Sequence, residues 1–261
     1  MIMSIKTLIH TANESDYQFF IRNLYEHEDK LELANANIHG NLLDVYYQLR
    51  SNMVILPASE YTQEFHDFIT EYHKQTKVII FINTNIKNTQ IFQFWKECSV
   101  LCVGRREYFG DHYDETNCLA YDSLYDHNTY SYTNQNRNNK IAVLLSQDDT
   151  KSAVTIGSLL YPETNEKLVL FNSATYSHPQ NVGFLNPADT CVVLNTYKSL
   201  IDLDDKFSLE AQICRIPNIS TDGDILSNIQ NSVTKKLYEN IEEYSYDSFI
   251  VNHFLPKVIK A

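Results

Sequence analysis

Two apolar runs, MVILPA at residues 53–58 and KVIIFIN at 77–83, decide how this chain is read. Each has the length of one strand and almost no polar residue, the pattern of strands covered on both faces of a parallel sheet. Between them, Phe65, Phe68, Ile69 and Tyr72 recur at three- and four-residue spacing within 61–75 and form one apolar helix face. Strand, helix, strand in this order predicts a right-handed parallel crossover. Working outward, the alternation continues with strands at 6–10, 31–36 and 99–104 and helices at 16–27, 41–50 and 89–98. The first half therefore reads as a doubly wound α/β domain, residues 1–125.

Residues 107–140 break the pattern. The stretch is rich in Asn, Asp and Tyr and holds no sustained period; CLAYDSL allows one short strand, and 126–139 reads as a linker. Beyond it the alternation resumes. Strands are expected at 140–145, 167–171, 181–185, 199–201 and 216–219, and helices at 152–160, 187–195, 207–214 and 224–240. Asn186 followed by Pro187 is a helix start, because Asn can cap and Pro is tolerated in the first turn. Residues 245–260 read as a terminal helix, interrupted near Pro256, and are placed with a second domain at 140–261.

The 261 residues carry 33 acidic and 21 basic side chains, a formal net charge of −12. That balance argues against non-specific binding to a nucleic-acid backbone, which needs clustered positive charge. No signal-peptide pattern and no apolar run of about eighteen residues occurs, so no membrane span is expected and the chain is read as a soluble cytoplasmic protein. Five cysteines are scattered, and Cys98 with Cys102 lacks the second pair that a zinc site needs, so the thiols are read as structural.

The familiar catalytic signatures G-x-G-x-x-G, Walker A, H-E-x-x-H and G-x-S-x-G are all missing from the sequence. His66 and His73 read as a solvated helix face. His10 closes the first strand, where α/β sheets bind ligands, and is the one histidine with a candidate role, in an N-domain cleft.

The most informative stretch is DLDDKFSLEAQICRIP, residues 202–217. It resembles the C-terminal domain of retaining GT-B glycosyltransferases (the group 1-like type), in a divergent and shortened form. That family has an acidic residue, seven residues, then Glu, in a run like E-P-F-G-L-x-x-L-E-A-M-A-C-G-x-P. Asp202 stands at the first acidic position and Glu210 at the second, and Leu209, Ala211, Cys214 and Pro217 follow the pattern. Upstream, KIAVLLS with Lys151, then KLVLFNS, then NVGFLNPAD keep the family's order. There are departures: Asp204 and Asp205 replace Phe-Gly, Arg215 replaces Gly, and the Gly-Arg pair ahead of the Lys is Leu145-Ser146-Gln147 here.

The resemblance implies an α/β fold of two Rossmann-like domains (GT-B-like) with a cleft between them. It also implies transfer of a hexose-type sugar from a nucleotide-sugar donor to an acceptor, a glycan, protein or small molecule, held mainly by the first half. The transfer would be retaining and metal-independent, with no cofactor beyond the donor substrate. Carried over residue by residue, Glu210 would contact the ribose, Asp202 the donor sugar, and the backbone around Ser208 and Leu209 the diphosphate. Lys151 would neutralise the leaving phosphate, with Arg215 adding charge. A catalytically silent module of the same fold is the alternative.

Overall fold

A computed structural model describes residues 5–10, 12–36, 42–144, 168–171, 185–203 and 205–259. The chain forms two compact units, Met1–Leu124 with Ser245–Ala261, and Tyr125–Tyr244. The expected helix at 152–160, most of the expected strand at 181–185, and Leu145, Ser146, Gln147, Lys151 and Asp204 lie outside the described residues.

In the first unit six strands, β1 (Ile5–His10), β2 (Leu31–Ala36), β3 (Met53–Pro57), β4 (Lys77–Ile82), β5 (Leu101–Arg105) and β6 (Cys118–Tyr121), form one parallel sheet. Their order is β2-β1-β3-β4-β5-β6. Helices α1 (Ser15–Tyr25), α2 (Leu42–Leu49), α3 (Gln63–Tyr72) and α4 (Thr89–Glu97) make the connections between the first five strands. The near-continuous apolar strands are explained by two cores, one on each face. Leu8, Val54, Leu56, Val78, Ile80 and Ile82 point to one core, with Phe65 and Phe68 of α3 and Trp95 of α4. Their chain neighbours Ile9, Met53, Ile55, Ile79 and Phe81 point to the other, with Phe20 and Leu24 of α1. Each fully buried aromatic or aliphatic side chain contributes about 2–3 kcal/mol, so the two-sided burial outweighs any single hydrogen bond in the sheet.

Local chemistry sets the helix ends. Thr62 caps α3 by accepting from Phe65 N, and Asn88 caps α4 by accepting from Gln90 N and Ile91 N at 3.0 and 3.2 Å. At the far end of β5, Arg105 pairs with Asp16 in the first turn of α1 at 2.9 Å. The short strand allowed by CLAYDSL is β6.

The terminal segment, placed with the second domain on sequence, belongs to the first unit. Phe254 meets Phe20 edge-on at 5.1 Å, Phe249 meets Tyr121 at 5.1 Å, and Asp247 pairs with His27 at 2.9 Å. It covers the face on which α1 alone leaves Phe81 and its neighbours incompletely packed. The expected interruption is present: a π-helical turn at Ile250–Phe254 precedes the last helix, Leu255–Ile259. Pro256 has no N–H to continue the α ladder, and the widened turn accommodates this.

In the second unit β7 (Ile141–Leu144), β8 (Leu168–Phe171) and β9 (Ser199–Asp202) are parallel in the order β8-β7-β9. The segment expected as a strand at 216–219 extends the sheet through single bridges, Leu200 to Asn218 in parallel and Ile219 to Thr234 in antiparallel. Helix Pro187–Thr196 starts as the Asn-Pro pair predicts, with Asn186 accepting from Asp189 N at 2.8 Å. The helix expected over 224–240 stops at Asn231: Ser232 takes a left-handed conformation (φ 54°), and β-branched Val233 and Thr234 continue extended. The stretch 126–139, read as a linker, packs on this unit: Tyr130 is buried and Thr133 N donates to Asn195 Oδ1 at 2.8 Å.

Gly104 faces its register partner Ile82 so closely that a Cβ would meet the Ile82 carbonyl oxygen at 2.4 Å. Gly104→Ala is expected to destabilise the protein by about 3 kcal/mol through this backbone collision, measurable by chemical denaturation.

Candidate functional site

The order β8-β7-β9 reverses direction at β7, and the carboxyl ends beside such a reversal are where α/β sheets place ligands. Asp202 ends β9 at this point and is fully buried. Its carboxylate is committed to the chain that follows. Oδ1 accepts from Lys206 N at 3.2 Å, and Oδ2 accepts from Phe207 N at 2.8 Å and Ser208 Oγ at 3.3 Å. Burial pushes the carboxyl above its ordinary value, opposed by the Phe207 and Lys206 N–H groups and the charge of Lys235. Asp202 thus anchors the chain between β9 and the helix that follows. These bonds also change the expectation for the diphosphate, because the N–H groups of Lys206 and Phe207 already serve Asp202, and the helix behind them, Ser208–Ile213, is only six residues long.

A polar chain spreads from this anchor. Asn218 Nδ2 donates to Ser208 Oγ at 3.1 Å, and Asn218 Oδ1 is buried without a hydrogen-bond partner among the described residues. Lys235 Nζ donates to the Asp202 carbonyl oxygen at 2.6 Å and pairs with the Asp205 carboxylate. Around them open two cavities, about 590 and 380 Å³. Ser208, Lys235 and Lys236 line both. The larger adds Asp205, Asp222 and Tyr238, and the smaller adds Gln212, Arg215 and Asn218.

The sequence-predicted residues fall unevenly about this site. Ser208 and Arg215 line it, and Asp202 supports it from beneath. Glu210 lines neither cavity, Leu209 is buried in the core of the unit, and Lys151 lies outside the described residues. His10, in the first unit, is buried, packs edge-on against Phe65 at 5.6 Å and lines a separate cavity of about 390 Å³ with Asn13, Gln18, Arg22 and Asn35. Sequence reading missed Lys235, Lys236 and Asn218. The signal was two consecutive lysines in an acidic chain, hidden because a helix through 240 would have turned them to different faces. Among the described residues no cluster of three or more His, Cys, Asp or Glu is placed to hold a metal ion, and no helix is long and apolar enough to cross a membrane.

Two departures from the glycosyltransferase pattern have a backbone explanation. Asp205 and Arg215, which stand where that pattern has Gly, both take the left-handed conformation, at φ 58° and 55°. Arg215 follows the end of the Ser208–Ile213 helix in a Schellman closure: Ile216 N donates to Ala211 O at 2.9 Å and Arg215 N to Gln212 O at 3.0 Å. The backbone keeps the glycine geometry where the sequence has lost the glycine, with Arg215 laid over the Tyr132 ring at 4.7 Å. Arg215→Gly is therefore expected to be more stable than Arg215→Ala by about 1 kcal/mol in denaturant melts, since both lose the guanidinium and only Gly relieves the positive φ.

No protein-family model matches the sequence, and no curated protein matches it in sequence. Solved structures do match in fold. One is S. aureus MnaA determined with UDP, at a TM-score of 0.54 and 12% identity over 98% of this chain and 97% of that one. Another is a protein of Listeria monocytogenes assigned as a UDP-N-acetylglucosamine 2-epimerase, at 0.51 and 8% identity over 97% and 88%. With a six-stranded parallel sheet and a second parallel sheet, the chain has a divergent GT-B fold built from two Rossmann-like units.

Proposed function

We propose that the second unit binds the nucleoside diphosphate of a nucleotide-sugar and that the protein is a glycosyltransferase of GT-B type. The observation that carries this reading is the pair Lys235 and Lys236 beside Ser208, lining both cavities at the carboxyl edge of β9. A diphosphate needs cationic donors, and these two ammonium groups supply them, while the Ser208 hydroxyl beside them already donates to Asp202. The UDP held by the S. aureus structure makes uridine diphosphate the first probe. Since the chain is strongly acidic and Asp205 and Asp222 line the larger cavity, the phosphates lie on the lysine side and attraction is local.

In this reading Asp202 is a positioning residue that holds Ser208, and Arg215 rims the smaller cavity. The sugar is hexose-type, its transfer retaining and metal-independent, with lysine charge stabilising the leaving diphosphate. The acceptor is taken by the first unit, where His10 lines its own cavity. A catalytically silent binding module is the second reading, favoured by one observation: the carboxylate expected to touch the donor sugar is already bonded to three internal donors.

Calorimetry with UDP, GDP and ADP and their hexose conjugates tests the binding claim. One diphosphate series is expected to bind, and Lys236→Ala to weaken it about tenfold, the worth of one charge-assisted hydrogen bond. No heat with any of the three on folded protein overturns the reading. Binding without consumption of the sugar conjugate, across an acceptor panel, selects the silent module.

A further inference from the structure

Three of the five cysteines, Cys98, Cys102 and Cys118, are buried in the first unit, but the other two meet in the second. Cys191 lies in the helix Pro187–Thr196, and Cys214 ends the helix Ser208–Ile213. Both thiols point at one atom, the carbonyl oxygen of Ser131, Cys191 Sγ at 3.9 Å and Cys214 Sγ at 3.7 Å. Asn195 Nδ2 reaches the same oxygen at 3.0 Å and Cys191 Sγ at 3.5 Å. One carbonyl oxygen with two lone pairs is thus shared by three donors, so the thiol hydrogens can be lost without leaving it unsatisfied.

The two thiols also differ in access. Cys191 is partly exposed, whereas Cys214 is fully buried, and burial together with the neighbouring Cys191 pushes its thiol up to about 12. That arrangement suits a pair in which the outer sulfur meets an oxidant first and the inner one resolves it. Cys102 and Cys118, although register partners on β5 and β6, lack the asymmetry because both are enclosed in the core.

We propose that Cys191 and Cys214 are a redox-active dithiol that small-molecule disulfides convert to an intramolecular disulfide. The Cys191 thiolate, with the Asn195 amide beside it, attacks one sulfur of a low-molecular-weight disulfide and releases one small thiol. Conversion to the mixed disulfide removes the contribution of Cys191 to the raised Cys214 thiol, while burial, the larger cause, remains. Cys214 then passes its proton to the small thiolate released in the first exchange and attacks Cys191 Sγ, displacing the second small thiol. Two protein thiols and one disulfide become one protein disulfide and two small thiols, the electron pair passing to the small molecule. The bond ties the helix carrying Ser208 to the helix after Asn186, and its formation does not depend on what the cavities bind.

The test is to incubate the reduced full-length chain with excess oxidised glutathione near pH 8, alkylate remaining thiols, and map peptides by mass spectrometry. The expected result is a Cys191–Cys214 cross-linked peptide lighter by two hydrogens, two fewer alkylated cysteines, and a melting temperature higher by roughly 5 °C. Cys118→Ser is expected to leave the cross-link intact, and Cys191→Ser to leave Cys214 unmodified. Alkylation of all five thiols, a glutathione adduct that persists on Cys191, or a cross-link through Cys98, Cys102 or Cys118 overturns the proposal. Each of these outcomes is measured on the wild-type protein, so poor folding of a variant does not obscure them.

Discussion

A parallel sheet cannot be closed by tight turns, so each strand must be followed by a crossover, and both faces must be covered by apolar groups. In the first unit this constraint sets nearly everything else. The alternation Val54–Ile55–Leu56 and Val78–Ile79–Ile80–Phe81 sends successive side chains into two different cores. One core is closed by α2, α3 and α4. The other has only α1 from the body of the unit and is completed by the last fifteen residues of the described chain, 245–259. The carboxyl edge, where ligands are bound in such sheets, follows from this packing because all six strands point the same way.

The second unit organises its edge around a buried carboxylate. Asp202 is costly to bury as an ion, and the three donors that it collects from residues 206–208 offset that cost. The result fixes Ser208, which in turn fixes Asn218, while Lys235 closes over the Asp202 carbonyl. A residue read from sequence as reaching the donor sugar is therefore one that holds the cavity-lining Ser208 in place. The substitution of Gly by Asp205 and Arg215 fits the same picture. The backbone keeps its left-handed positions, and the side chains that now occupy them find partners, Lys235 for one and the Tyr132 ring for the other.

The charge of the chain bears on function only locally. A net charge of −12 repels anions at a distance, but at physiological salt such fields fall off within about 8 Å. Two adjacent lysines on the lip of a cavity can then act against the global sign. This also separates the two sites by chemistry: the second unit offers ammonium groups and hydroxyls, while the cavity beside His10 offers amides, a guanidinium and aromatic edges.

Much of this was legible in the chain itself. Near-continuous apolar runs and a spacing of three to four residues, with Asn186 as a cap, pointed to which segments are strands or helices, because these depend on neighbours within one or two turns. The run from Asp202 to Glu210 spans a strand end, a turn and a helix start, which local backbone geometry sets. Only the tertiary structure decided which sheet the terminal segment covers, that Asp202 is buried and Glu210 lines neither cavity, that Lys235 and Lys236 line the same cavities as Ser208, and that Cys191 and Cys214 share the Ser131 carbonyl oxygen. An apolar face or a charged side chain in a sequence states what it needs but not which distant group supplies it, and partners distant in the chain, such as Phe20 and Phe254 or Asp202 and Lys235, are chosen by packing alone.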